Sequence, residues 1–292
     1  MNCLIPVKVE EARITKALRD CREHGFEILE PTQCVEEALR KFGDKLCVSC
    51  SFGACSVVVL HMALQIKPDI KVVFNNTGVK YPETYTYRDL LKKQWNLNLI
   101  ETVPVKSFWQ CIKEYGFPLY RSSYHAGENK LGKPSYGKPK CCVYLKELPF
   151  KHYAKENSIQ ASITGLRAGE SRARMFAFGQ FGQNFATKKF FNLTKFNPIA
   201  FWTHKQVHDY LATNKIPINA LYLKGKDRTG CMPCTGYKDW ERQLAKGNPK
   251  MYRIVQRLRG VSLLDSFLDM ENAVVDSCGS AQSRKGTLED WF

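Results

Sequence analysis

The stretch KLCVSCSFGACSVVVLHMAL, Lys45–Leu64, joins a short apolar run to a longer one through a single glycine, Gly53. LCVSCS has the length and composition of a buried strand, and SVVVLHMALQIK that of a buried helix. The connection SFGACS, Ser51–Ser56, is then a tight strand-to-helix loop. Downstream, DIKVVFNN reads as a second strand, YPETYTYRDLLKKQWN as a helix and LNLIETVPV as a third strand. This alternation predicts an α/β fold: a doubly wound, mainly parallel sheet with crossover helices on both faces.

Upstream, VEEARITKALRDCREHG and CVEEALRKFG carry helical patterns that stop at Gly25 and Gly43. We expect a helical N-terminal segment over 1–43, a nucleotide-binding domain over 44–235, and a helical C-terminal segment with tail over 236–292. Between Phe117 and Lys140 the chain is rich in Gly, Ser, Tyr, Lys and Pro, which predicts a long surface loop. SIQASITGLR reads as strand, followed by a Gly/Phe-rich stretch to Ala186, then KFFNLTKFNPI and a helix at HKQVHDYLATN.

The formal net charge of +16 is compatible with a merely basic surface or with a polyanionic ligand such as a nucleotide or nucleic acid. No apolar run reaches membrane-spanning length, and MNCLIPVKVEEAR has no cleavable signal pattern, so a cytoplasmic, non-membrane protein is expected. Twelve cysteines without the spacing of a secreted disulfide scaffold direct attention to metal or thiol chemistry. Cys47 and Cys50 lie three apart in a strand and so face opposite sides of the sheet; with Cys3, Cys21, Cys34 and Cys111 they read as structural thiols.

In an open α/β sheet, ligands bind beyond the carboxyl ends of the strands, where SFGACS belongs. Gly53 lets the backbone approach an oxyanion, the helix N-terminus presents N–H groups, and Ser51 and Ser56 add hydroxyls. Taken alone, the pattern is equally that of a plain strand-to-helix turn. Four further cysteines come from two places: the doublet Cys141 and Cys142, and Cys231 and Cys234 in GCMPC. An adjacent doublet is a poor knuckle for one tetrahedral zinc, whereas neighbouring cysteines can each take their own iron of a [4Fe–4S] cube. Zinc and unligated thiols remain alternatives.

Together with FNNTGVKYPETY, TGLRAGESRAR, NPIAFWTHKQVHDYL, IPINALY, KCCVYLKELPF and GCMPCT, the loop resembles the adenylyl-sulfate and phosphoadenylyl-sulfate reductases. These belong to the adenine-nucleotide alpha-hydrolase (PP-loop) superfamily, and the resemblance runs from about Leu46 to Thr235 in family order. It implies that Ser51, Phe52, Gly53 and Ser56 cradle the anionic end of an adenine nucleotide (APS, PAPS or ATP), and that Thr77 and Gly78 border it. Arg167, Ser171 and Arg174 match the family's Gly-x-Arg-x-x-x-Ser-x-x-Arg pattern, and arginine forks suit phosphate or sulfate. It also implies a [4Fe–4S] cluster on Cys141, Cys142, Cys231 and Cys234, tuned by Lys146 four residues after the doublet.

Two departures divide the expected function. The family's Glu-Cys-Gly-Leu-His nucleophile segment is matched only at Cys278 and Gly279. Ala54, Cys55 and Asn76 stand where pyrophosphatase members carry a lysine-like residue and two aspartates, which weakens magnesium binding. The first expectation is therefore a sulfonucleotide reductase with Cys278 as nucleophile and a thioredoxin-like reductant. The alternative is an ATP-using sulfur-transfer enzyme on nucleic acid, of the DNA-phosphorothioation or tRNA-thiolation type, with a cysteine-desulfurase sulfur donor. A homo-oligomer is expected in either case. The tail SRKGTLEDWF packs on its own domain or, resembling archaeal clamp-binding peptides, engages a sliding clamp.

Overall fold

The computed structural model describes residues 5–118, 125–128, 134–136, 139–187 and 192–260. Cys3, Cys278 and the tail SRKGTLEDWF lie outside the described residues. The chain divides into two compact units, the first comprising Met1–Asn75, Pro82–Thr102 and Phe150–Thr229, the second Asn76–Tyr81, Val103–Pro149 and Gly230–Phe292.

The first unit is built on a six-stranded sheet: β1 (Leu46–Ser49), β2 (Lys71–Asn75), β3 (Leu99–Thr102), β6 (Ala161–Ile163), β7 (Phe185–Thr187) and β8 (Leu193–Phe196). Their spatial order is β3-β2-β1-β6-β8-β7. The β1 strand pairs in parallel with β2 (Val48 beside Val72) and with β6 (Val48 beside Ile163), and β3 and β8 extend the parallel set. Only β7 runs antiparallel, along β8. The order reverses at β1, between the β2 and β6 sides, which puts the β1 loop at the topological switch point.

Helices cover both faces, as the alternation predicts. On one face Leu46, Val48, Val72, Phe74 and Ile163 pack against α2 (Pro31–Phe42), α3 (Ala54–Ile66), α4 (Pro82–Gln94) and α9 (His204–Thr213). On the other, Cys47, Val73 and Leu193 meet Phe150 and Ala154 of α7 (Leu148–Glu156). The opposite placement of Cys47 and Cys50 follows from the period of two: Cys47 joins the α7 face and Cys50 the α3 face. A third cluster joins Ile14 and Ala17 of α1 (Val7–Glu23) to Ala168 and to Phe178 of α8 (Arg172–Phe181).

Two segments differ from the sequence reading. The Gly/Phe-rich stretch before Ala186 is largely helical, because Ser171 accepts a hydrogen bond from the Arg174 N–H and caps α8. The Gly- and Lys-rich loop of the second unit contains a short antiparallel pair, β4 (His125–Glu128) with β5 (Pro134–Tyr136). That unit also holds α5 (Phe108–Tyr115), α6 (Lys140–Cys142), α11 (Trp240–Gly247) and α12 (Pro249–Gly260). The remaining short helix, α10 (Ala220–Leu223), belongs to the first unit. Among the described residues, no helix is long and apolar enough to cross a membrane.

Candidate functional site

The β1 loop is shaped from within. Phe52 takes a left-handed backbone conformation (φ 58°), which turns its ring into the core against Phe74, 5.2 Å between centroids. Such a conformation is costly for a bulky residue and persists because both ends of the turn are tied down. Ser56 supplies one tie: its hydroxyl oxygen accepts from the N–H groups of Ser51 (3.2 Å) and Gly53 (3.1 Å) and donates to the Gly53 carbonyl (2.9 Å). Asn219 supplies another by donating to the Phe52 carbonyl at 3.3 Å.

Two glycines allow neighbours to close on this loop. A Cβ on Gly53 would meet Thr229 Oγ1 at 2.8 Å and the Tyr222 hydroxyl at 3.2 Å. That hydroxyl accepts from the Ala54 N–H at 3.0 Å, and burial pushes its own pKa up to about 12, so it stays protonated. A Cβ on Gly165 would lie 2.5 Å from the Cys55 carbonyl oxygen, so the β6 end lies directly against the loop backbone. The first N–H groups of α3 are thus partly engaged; those of Cys55 and Ser56 make no hydrogen bond among the described residues. Ser51 is exposed, whereas the buried Ser56 hydroxyl serves the loop itself.

The arginines arrive on the segment after β6. Arg167, only 4% exposed, donates from Nε to Cys55 Sγ (3.2 Å) and from Nη1 to Glu10 Oε1 (2.6 Å) and the Trp202 carbonyl (3.0 Å). Burial works against its charge, but Cys55 and Glu10 outweigh that and hold its pKa above the usual arginine value. Arg174 pairs with Glu170. Its guanidinium is held below the arginine range, by burial first and then by the positive charge of Arg167 and Arg228, with Cys55 acting in the opposite sense. Arg167 and Arg174 therefore both act on Cys55 of the loop. Glu170 accepts from Cys55 Sγ at 3.9 Å and lies 3.8 Å from Arg167 Nε, so an incoming anion would exchange with that carboxylate for the arginine donors. Ser171, expected to border the ligand, caps α8.

Several of these residues escaped the sequence reading. Glu10 lies on the N-terminal helix, and nothing local marks it as buried. Tyr222 falls within the quoted IPINALY and Thr229 follows the basic run KGKDR, which was the available signal. Lys226 in that run is buried, and burial brings its pKa down to about 8. His204 and His208 on α9 have ring centroids 4.4 Å apart. Burial lowers the pKa of His204 to about 4, followed by the charges of His208 and Arg167.

The second unit carries the remaining expected residues. Thr77 is buried and its hydroxyl oxygen accepts from Cys231 Sγ at 3.5 Å. Gly78 takes φ +71° and donates its N–H to Asn76 Oδ1 at 3.1 Å. An isolated antiparallel bridge between Lys80 and Cys231, with the Met232 N–H on the Val79 carbonyl at 2.7 Å, seats the Cys-x-x-Cys turn on the Val79–Lys80 segment of the same unit. Cys141 and Cys142 occupy α6, directly before a π-helical turn, Val143–Glu147, that carries Lys146. π-turns of this kind recur at functional sites.

The Cys141 thiol is pushed far up by its hydrogen bond with Cys142, by burial, and by the charges of Cys142, Cys234 and Cys231. Cys142, Cys231 and Cys234 are thus all electrostatic neighbours of Cys141. Among the described residues, no group of three or more His, Cys, Asp or Glu side chains is set to hold a metal ion as the side chains stand. The donor set, four thiols with two of them adjacent, has the soft, all-sulfur chemistry that iron–sulfur clusters take.

Comparison with known proteins accords with this geometry. The family model for the phosphoadenosine phosphosulfate reductase domain matches residues 45–237. An adenosine 5'-phosphosulfate reductase of Staphylococcus haemolyticus is 29% identical over 218 residues, covering 74% of this chain and 78% of that one. A phosphoadenosine 5'-phosphosulfate reductase of Gloeobacter violaceus is 32% identical, covering 72% and 80%. In fold alone, the chain is similar to the phosphoadenylyl-sulfate reductase of Candida auris, solved as a phosphate complex, with a TM-score of 0.52 at 22% identity over 70% of this chain and 88% of that one. The family-model match over residues 45–237, together with a relative 32% identical over most of both chains, places this chain in the phosphoadenylyl-sulfate/adenylyl-sulfate reductase family, a family of oxidoreductases.

Proposed function

We propose that this protein is a sulfonucleotide reductase: it binds adenylyl sulfate or its 3'-phosphorylated form and releases sulfite. The observation that carries the reading is the buried Arg167, whose Nε donates to Cys55 of a loop whose fold is tied from within, with Arg174 seven residues on in the same segment. Ser51, Phe52, Gly53 and Ser56 form the cradle in this reading. Arg167 and Arg174 receive the sulfate or phosphate charge, Ser171 orients the Arg174 segment, and Thr77 and Gly78 border the nucleotide. The N–H groups of Cys55 and Ser56 and the exposed Ser51 hydroxyl are the donors the loop offers to that charge, while Ser56 Oγ holds the loop in shape.

In this proposal Cys141, Cys142, Cys231 and Cys234 hold a [4Fe–4S] cluster, and the half-buried Lys146 tunes the charge beside it. The cluster would supply a fixed charge distribution in its unit. Cys278 is the proposed nucleophile. Its thiolate attacks the sulfonate sulfur, the sulfur–oxygen bond to the nucleotide phosphate breaks, and the nucleotide leaves with the electron pair. A thioredoxin-like dithiol then displaces sulfite from the S-sulfo adduct and is itself oxidised to a disulfide.

Anaerobic purification followed by assay tests this. The reading expects about four irons per chain, loss of iron in Cys142→Ser and Cys234→Ser, and sulfite release from adenylyl sulfate with a dithiol reductant. A fully loaded, folded protein that neither binds nor reduces a sulfonucleotide overturns it.

A further inference from the structure

The helix α1 lies outside the matched domain of residues 45–237, yet it places a carboxylate in the anion site. Glu10 is 3% exposed. Its Oε1 accepts from Arg167 Nη1 at 2.6 Å, and both its oxygens accept from the His204 N–H at 3.1 Å. The helix is pinned there twice more. Arg13 Nη1 donates to the Gly169 carbonyl at 3.0 Å, and at Gly169 a Cβ would meet Glu10 Cγ at 2.5 Å, so only glycine admits this approach.

A guanidinium is planar, and its donors point in fixed directions. With Nη1 held by Glu10 and the Trp202 carbonyl, Nε is directed at Cys55 Sγ in the loop, and Glu170 Oε1 lies 3.8 Å from the same Nε, in the place an anionic ligand would take. Among the described residues Nη2 makes no hydrogen bond. Side-chain exposures of 5% for Arg167 and 4% for Glu10 make this a desolvated ion pair, which contributes little net stability to a fold.

We infer that Glu10 is a positioning residue: it clamps Arg167 by Nη1 so that Nε is presented to the β1 loop. That this donor then receives the sulfate or phosphate end of an adenylylated ligand rests on the reductase reading. The N-terminal helix is in this way a working part of the site.

The test separates reach from charge. Glu10→Asp keeps the charge but is one methylene short, drawing the guanidinium towards α1 and away from Cys55. Glu10→Gln keeps the reach and one acceptor oxygen. Two readouts are taken on full-length, folded protein: the rate at which iodoacetamide alkylates Cys55 at neutral pH, followed by peptide mass spectrometry, and affinity for adenylyl sulfate against adenosine. Arg167 Nε sits on Cys55 Sγ at 3.2 Å, so drawing the guanidinium away in Glu10→Asp changes the alkylation rate several-fold. That variant also weakens adenylyl sulfate binding about tenfold while adenosine affinity holds, and Glu10→Gln stays nearer to wild type in both readouts.

Glu10→Asp at wild-type values in both readouts overturns the inference. So does tighter adenylyl sulfate binding by Glu10→Gln beside an unchanged Glu10→Asp, which would mean that net charge alone matters. A parallel loss of adenosine affinity overturns it as well, since that marks a merely structural role. If the wild-type protein does not bind adenylyl sulfate, the reductase reading fails, and the alkylation order of the three proteins still decides the role of Glu10.

Discussion

Arg167 Nε donates to the sulfur of Cys55 across 3.2 Å, joining residues 112 positions apart at the first turn of α3. The half-buried thiol is consequently part of the anion loop. A sulfonucleotide whose charged end occupies that loop covers it. We expect saturating adenylyl sulfate to slow alkylation of Cys55 by about tenfold or more, a shift in access that costs the reagent about 1.4 kcal/mol. Peptide mass spectrometry, with the buried Cys47 as internal control, measures it; an unprotected Cys55 in the liganded protein contradicts this placement.

Arg167 and Arg174 separate under substitution. Arg167→Ala strands the Glu10 carboxylate in the core, and removing one partner of a buried pair costs about 3–5 kcal/mol. Arg174 keeps 39% of its side chain exposed although its guanidinium end is buried, and its partner Glu170 keeps 27%, so the loss on truncation is smaller. Arg174→Ala is therefore expected to stay within about 1 kcal/mol of wild type in stability while losing affinity for the sulfonucleotide. Urea unfolding and equilibrium binding on the same preparations check both halves.

Gly165→Ala is expected to damage the loop although no side chain is lost. Its Cβ would lie 2.5 Å from the Cys55 carbonyl oxygen and 2.8 Å from the Ser56 nitrogen, and backbone cannot rotate away as a flexible side chain can. Overpacking of this kind costs about 1–3 kcal/mol. Thermal unfolding should show the loss, and nucleotide affinity should fall with it; a variant with wild-type melting and binding would show that the contact relaxes freely.

A pH dependence follows from His204. Burial, then the charges of His208 and Arg167, lower its pKa from 6.5 to about 4. Between those values the unfolded chain binds the proton and the folded protein does not, so stability falls as pH drops from about 6.5 towards 4, and the loss is complete below that. His208 is lowered as well, by burial first, and acts in the same direction. The drop in melting temperature on acidification should be smaller in His204→Asn than in wild type; equal drops in both would place the acid sensitivity elsewhere.

Local pattern was enough for the sheet. The β1 loop and α3, the second and third strands with the helix between them, and α9 behind its Thr203 cap all lie where apolar periodicity and cap residues indicate. It failed at α8, where RARMFAFGQF spreads Phe176 and Phe181 to solvent and Phe178 to the core, leaving no single apolar face to read. It failed also at the β4 and β5 pair, set among glycines and lysines that signal only a loop.

The site divides along the same line. SFGACS, GESRAR and the two cysteine pairs are legible because each is contiguous, and short spacing dictates which atoms can meet. The long-range unions are not. Glu10 meets Arg167 across 157 positions and Cys55 meets Arg167 across 112. Either arginine donor could have faced solvent under the same local pattern. Which partner a buried charge finds depends on packing: Gly169 lets α1 close on Arg167, and Gly165 sets the β6 end against the loop. A carboxylate becomes an arginine clamp only when the fold excludes the water that would otherwise solvate both charges.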